Sequence, residues 1–137
     1  MTEHHPHKKS ILVLEDERQL AMAVRDAFTK HDFQVITAST VEDGLHELTN
    51  AKVVDVIWLD HYLLGSGSGL DFVVQLKNHP EWKEIPIFVV SNTANTTNIR
   101  SYLQLGVQNY YTKADYDINQ IITDIEYTLK GPTKKSI

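Results

Sequence analysis

Short apolar runs alternate with amphipathic ones along the whole chain. Residues 10–14 (SILVL), 33–38 (FQVITA), 53–59 (VVDVIWL), 85–90 (IPIFVV) and 108–112 (QNYYT) read as strands. The third of these is so continuously apolar that it suits a central parallel strand covered on both faces. The segments between them carry helical periodicity. Leu20, Ala23, Val24, Ala27 and Phe28 form one stripe, and the helix closes at His31-Asp32. Val41, Leu45 and Leu48 form the next, capped by Ser39 or Thr40, with Glu42 and Asp43 in the first turn, where the helix dipole favours them. A third helix carries Leu70, Phe72, Val73, Val74 and Leu76 and stops at Asn78-His79-Pro80. A fourth, over 95–105, is weak because Asn95, Thr96, Thr97, Asn98 and Ser101 are mediocre helix formers; Gly106 ends it. The last, over 116–130, carries Ile118, Ile121, Ile122, Ile125 and Leu129 and stops at Gly131-Pro132. Strand and helix alternate five times without repeat or internal boundary. Right-handed crossovers turn that alternation into a doubly wound α/β fold, a five-stranded parallel sheet with helices on both faces.

Composition narrows the class. A chain of 137 residues is long enough for one well-buried core. Residues 1–9 read as a disordered lead, 10–130 as the domain, and 131–137 as a polar tail or the start of a linker. His4, His5 and His7 are possible metal ligands, but around a proline and without an acidic partner they read as part of the lead. No apolar run approaches membrane-spanning length, so no membrane association is expected. The net charge of −5 leaves no electrostatic footprint for direct nucleic-acid binding. The absence of cysteine removes disulfide and thiolate chemistry and fits a reducing compartment. A cytoplasmic location is expected.

The strand ends change the picture from fold to chemistry. Strand one ends on Glu15-Asp16, strand three on Asp60, strand four on Ser91 and strand five on Lys113. In a parallel sheet these ends share one edge, where open α/β folds place their ligand crevice. Any one of them alone reads as a cap, a turn residue or a local charge balance. Together they bring carboxylates, a hydroxyl and an ammonium into one place, which no structural need explains. Clustered acids call for a cation, and all-oxygen ligation suits Mg²⁺. A carboxylate so neutralised can attack phosphorus in line and form an acyl phosphate. Lys113 then offers a point charge to the transferred oxygens, and Ser91 a hydrogen-bond donor.

The motifs ILVLEDE, IWLDHYL, VVSNTA and YYTKAD occur in the order and register of one family. The chain resembles the response-regulator receiver domain of two-component signalling, of the single-domain chemotaxis type, over residues 10 to 130. That resemblance implies a flavodoxin-like (βα)5 fold with strand order 2-1-3-4-5. It implies Asp60 as phosphoacceptor, with Mg²⁺ held by Glu15, Asp16, Asp60 and the backbone carbonyl of Tyr62. Ser91 is then the switch hydroxyl, Lys113 the phosphoryl-binding lysine and Tyr110 the switch aromatic. The implied partners are a histidine kinase or phosphotransfer protein and a downstream protein, and the domain catalyses nothing beyond its own phosphorylation and slow dephosphorylation. Tyr62 and Thr93 flank the path of the hydrolytic water by the same resemblance, and neither is a strong base at neutral pH.

Several positions depart from the family pattern. Ala114 replaces the usual proline after the lysine, and because a cis bond before Ala costs about 3 kcal/mol a trans peptide is expected. Leu64 replaces another proline, and Gly69 arrives one residue late, which lengthens the loop after Asp60 and predicts mobility. Asn92 stands where a small residue is usual and crowds the rim. His61 is turned away from Asp60 by strand alternation and reads as a surface residue. Two other functions compete. A haloacid dehalogenase-type phosphatase wants a second Asp two residues after the nucleophile, where this chain has Tyr62. A pseudo-receiver that binds proteins independently of phosphorylation would keep only the fold, which the intact acid, hydroxyl and lysine set argues against.

Overall fold

Five strands, β1 (Ser10–Leu14), β2 (Gln34–Ala38), β3 (Val56–Leu59), β4 (Ile87–Ser91) and β5 (Asn109–Thr112), pair in parallel in the order β2-β1-β3-β4-β5. This is the flavodoxin-like order that the family resemblance implies. The computed structural model describes residues 8–51, 53–92 and 95–130. His4, His5 and His7 and the tail 131–137 lie outside them. Register aligns the strand ends: Leu14 sits opposite both Ala38 and Leu59, Leu59 opposite Val89, and Ser91 opposite Thr112. The residues that follow β1, β3 and β5 therefore emerge at one edge of the sheet, with the end of β4 between the last two.

Helices α1 (Arg18–Lys30), α2 (Val41–Asn50), α3 (Gly69–Lys77), α4 (Thr96–Gln104) and α5 (Ile118–Lys130) cover the sheet, and a 3₁₀ turn, Lys113–Asp115, precedes α5. Because strand side chains alternate between faces, the core divides in two. Ile11, Val13, Trp58, Phe88 and Val90 pack on Val24 and Phe28 of α1 and on Ile121, Ile122 and Ile125 of α5. Leu12, Leu14, Ile57, Leu59 and Val89 pack on Leu48, Phe72, Val73, Leu76 and Tyr102 from α2, α3 and α4. Each such buried side chain contributes about 2 kcal/mol relative to exposure.

Local chemistry sets the helix starts. Thr40 accepts a hydrogen bond from the backbone N–H of Asp43 at 2.9 Å, and Asn95 accepts from that of Asn98 at 3.1 Å. Ser68 and Asp71 form a capping box at α3. Several expectations shift. β3 starts at Val56, not at residue 53: Val53 is exposed, and the Asp55 carboxylate instead accepts the N–H of Ser10 at 2.8 Å. Ala23 and Val74 face solvent. The α3 stripe runs through Gly69, Phe72, Val73 and Leu76, and Val74 falls about 100° beyond it.

Candidate functional site

The backbone ladder continues one residue past β1 and β3. Glu15 donates its N–H to Ala38 O at 3.1 Å, and Asp60 donates to Leu14 O at 2.9 Å. Both carboxylates are thereby fixed at the carboxyl edge of the sheet, each only 2% exposed. Asp16, half-exposed, completes a group in which one ligand atom from each of Glu15, Asp16 and Asp60 lies within 4.8 Å of the others. From the end of β5, Lys113 places its Nζ 3.1 Å from Glu15 Oε2 and 3.3 Å from Asp60 Oδ2. The other oxygens, Glu15 Oε1 and Asp60 Oδ1, are buried without a hydrogen-bond partner. Buried, unpartnered carboxylate oxygens are costly, and a cation is the group that would satisfy both at once. The donor set is all oxygen and fits a hard divalent ion.

Electrostatics agree with that reading. Burial, then repulsion from Asp60, pushes the Glu15 carboxyl up to about 8 despite the opposing Lys113. Burial likewise raises Asp60, against the pull of Lys113, Glu15 and Ser91. Burial alone disfavours the Lys113 ammonium, but Asp60 and Glu15 outweigh it and hold the lysine above its ordinary range. Ser91 is fully buried and lies within hydrogen-bonding reach of both Asp60 and Tyr110. Tyr110 is half-buried, and burial raises its phenol while the contact with Ser91 works the other way. The structure thus brings Glu15, Asp16, Asp60, Ser91, Lys113 and Tyr110 together. The Tyr62 side chain is 54% exposed, its ring edge-on to His61 at 4.8 Å. Thr93 lies outside the described residues.

The glycine-rich loop after Asp60 makes backbone contacts to its neighbours. Leu64 donates its N–H to Ser39 O at 2.9 Å and bridges to Thr40, while Gly65 and Gly67 take φ of +73° and +96°. Gly69 donates to His61 O at 2.9 Å. A Cβ there would stand 2.7 Å from Asp60 O and would also meet the Tyr102 hydroxyl, so only glycine lets α3 start this close to the acceptor. No cis peptide occurs among the described residues, so Lys113-Ala114 is trans.

His61 is not a surface residue. It is 9% exposed, with Nδ1 2.7 Å from the Tyr102 hydroxyl and Nε2 3.5 Å from Asn98 Nδ2. Alternation does turn it from Asp60, but in a doubly wound sheet the opposite face is covered too, here by α4. Burial lowers its pKa, against Asp60 and Asp71. Tyr102, fully buried, was not singled out from the sequence. Its signal was available: it is the one aromatic ring in α4.

The family model described as the response regulator receiver domain matches residues 11–126. The KDP operon transcriptional regulatory protein KdpE of Escherichia coli K12 is 29% identical over 104 residues, covering 76% of this chain and 44% of KdpE. The chain spans about half the length of the curated relatives it matches. A CheY-like response regulator receiver domain protein from Methanospirillum hungatei JF-1 superposes with a TM-score of 0.81 at 18% identity, over 90% of this chain and 95% of that one. The Mn²⁺-bound form of response regulator Rcp1 gives 0.79 at 23% identity, over 93% and 99%. At these identities the structural likeness speaks for the fold. No helix among the described residues is long and apolar enough to cross a membrane.

Proposed function

The chain belongs to the response-regulator receiver domain family of two-component systems, and from that membership and its carboxyl-edge site we propose that it accepts a phosphoryl group on Asp60. The observation that carries this is the buried Asp60 carboxylate, with Oδ1 unpartnered, Lys113 at 3.3 Å and two further acids within 4.8 Å. The donor is the phosphorylated imidazole of a histidine kinase or phosphotransfer protein. An Asp60 oxygen attacks phosphorus in line, the N–P bond breaks, and the electron pair leaves with the imidazole nitrogen. An acyl phosphate remains on Asp60. Glu15, Asp16, Asp60 and the Tyr62 carbonyl would hold Mg²⁺, which would supply neutralising charge at the acceptor.

The chain's own residues do the rest. Lys113 moves from pairing two carboxylates to pairing a transferred oxygen, and Ser91 donates its hydroxyl to another. Drawing Ser91 inward frees Tyr110, the switch aromatic, to turn into the space beside β4. The output is then a changed protein-contact surface, with no direct contact to nucleic acid from this acidic domain and with all of this taking place in the cytoplasm. The domain catalyses only its own phosphorylation and slow dephosphorylation.

Transfer of labelled phosphate from a phosphorylated phosphotransfer protein tests the reading. Label should appear on the parent with Mg²⁺, and should be lost in EDTA and in Asp60→Asn. Label on Asp60→Asn equal to that on the parent would reject Asp60 as acceptor.

A further inference from the structure

The buried His61 and Tyr102 and the half-buried Asn98 form a polar cluster that the proposed transfer does not use. His61 directly follows the acceptor. Its carbonyl accepts the N–H of Gly69 at 2.9 Å, which ties it to the start of α3. Its ring reaches the other way, 2.7 Å from the Tyr102 hydroxyl and 3.5 Å from the Asn98 amide. Asn98 and Tyr102 are one helical turn apart, so one imidazole engages adjoining rungs of a single face of α4. The Tyr102 ring in turn lies 5.8 Å from the ring of Tyr110.

The weight of this contact follows from what else holds α4. Tyr102 is the one fully buried residue of the helix, and Thr96, Thr97, Asn98 and Ser101 are poor helix formers. A buried imidazole and a buried phenol are each costly unless partnered, so their bond favours one position of the helix over its neighbours.

We propose that the His61–Tyr102 hydrogen bond is a latch that holds α4 in its resting place against the acceptor end of β3, and that phosphorylation of Asp60 releases it. Only the release depends on the acceptor reading. The hold acts in the resting protein and is measured without any phosphodonor.

Amide hydrogen exchange on the whole chain tests both halves. Tyr102→Phe keeps the ring and removes the hydroxyl. In the resting protein it should speed exchange across α4 by about tenfold, the loss of one buried hydrogen bond, while α1, α5 and the central strands keep the parent's rates. His61→Leu should do the same, the double variant should add little, and His61→Gln, whose amide can still meet the hydroxyl, should recover most of the protection. Unchanged α4 exchange in Tyr102→Phe, or an equal rise in every element, overturns the hold. Addition of beryllofluoride should then bring the parent close to Tyr102→Phe across α4. A difference that survives in full overturns the release. Failure of the parent to respond to beryllofluoride at all counts against Asp60 as acceptor, and leaves the resting comparison standing.

Discussion

Lys113 holds two buried carboxylates at 3.1 and 3.3 Å, and one ammonium cannot fully offset both. Glu15 is the group that answers, keeping its proton up to about 8. A folded-state pKa raised above the unfolded value contributes stability that is complete below the unfolded pKa and is lost as pH rises towards the folded one. In EDTA the melting temperature should therefore fall between about pH 5 and about pH 8, and Mg²⁺ should reduce the fall. A flat profile in EDTA would mean the acids are not crowded. Asp60→Asn removes the second cause of the Glu15 shift with a nearly isosteric group, so it should raise the melting temperature in EDTA at the alkaline end and flatten the slope. Lys113→Met does the reverse, leaving two buried acids without a counter-ion. It should cost about 3 kcal/mol in urea unfolding at alkaline pH in EDTA, and a cost near zero would contradict the ion pairing.

At the scale of elements, the start of α3 and the body of α4 converge on the peptide that carries the acceptor. Gly69→Ala would ordinarily gain up to about 1 kcal/mol inside a helix, but here the added carbon meets backbone. The closeness of that contact decides the sign, 2.7 Å from Asp60 O, and urea unfolding should show a loss of about 1–3 kcal/mol. A gain would place α3 farther from β3 than described. The mediocre helix formers of α4 make it the element expected to rearrange. Beryllofluoride should change exchange most over residues 91–111, and a change confined to α1 and α2 would reject a switch through Ser91 and Tyr110. The low helix propensity of α4 is legible in the sequence because propensity is local. Its anchorage is not: a period-2 argument places His61 on the face away from Asp60, but whether that face is covered depends on which helix crosses it. Nor does glycine content reveal the hydrogen bonds that join Leu64 to Ser39 and Gly69 to His61.

For the whole molecule, the order β2-β1-β3-β4-β5 puts the ends of β1, β3, β4 and β5 next to one another. That is why the acidic pair, Asp60, Ser91 and Lys113 could be read as one crevice before any contact was known: strand-end residues inherit their position from topology. Strand starts carry no such guide, and Val53 was drawn into β3 only by its hydrophobicity, beyond the point where β1 offers a pairing partner. The central claim is that this crevice is a phosphoacceptor. Intact mass spectrometry after incubation with acetyl phosphate and Mg²⁺, alongside Asp60→Asn and an EDTA control, tests it most directly. A gain of one phosphoryl group in the parent, absent from both controls, is the predicted result. An unmodified parent, or a gain that persists in Asp60→Asn, would contradict it and leave a receiver fold that acts as a binding module alone.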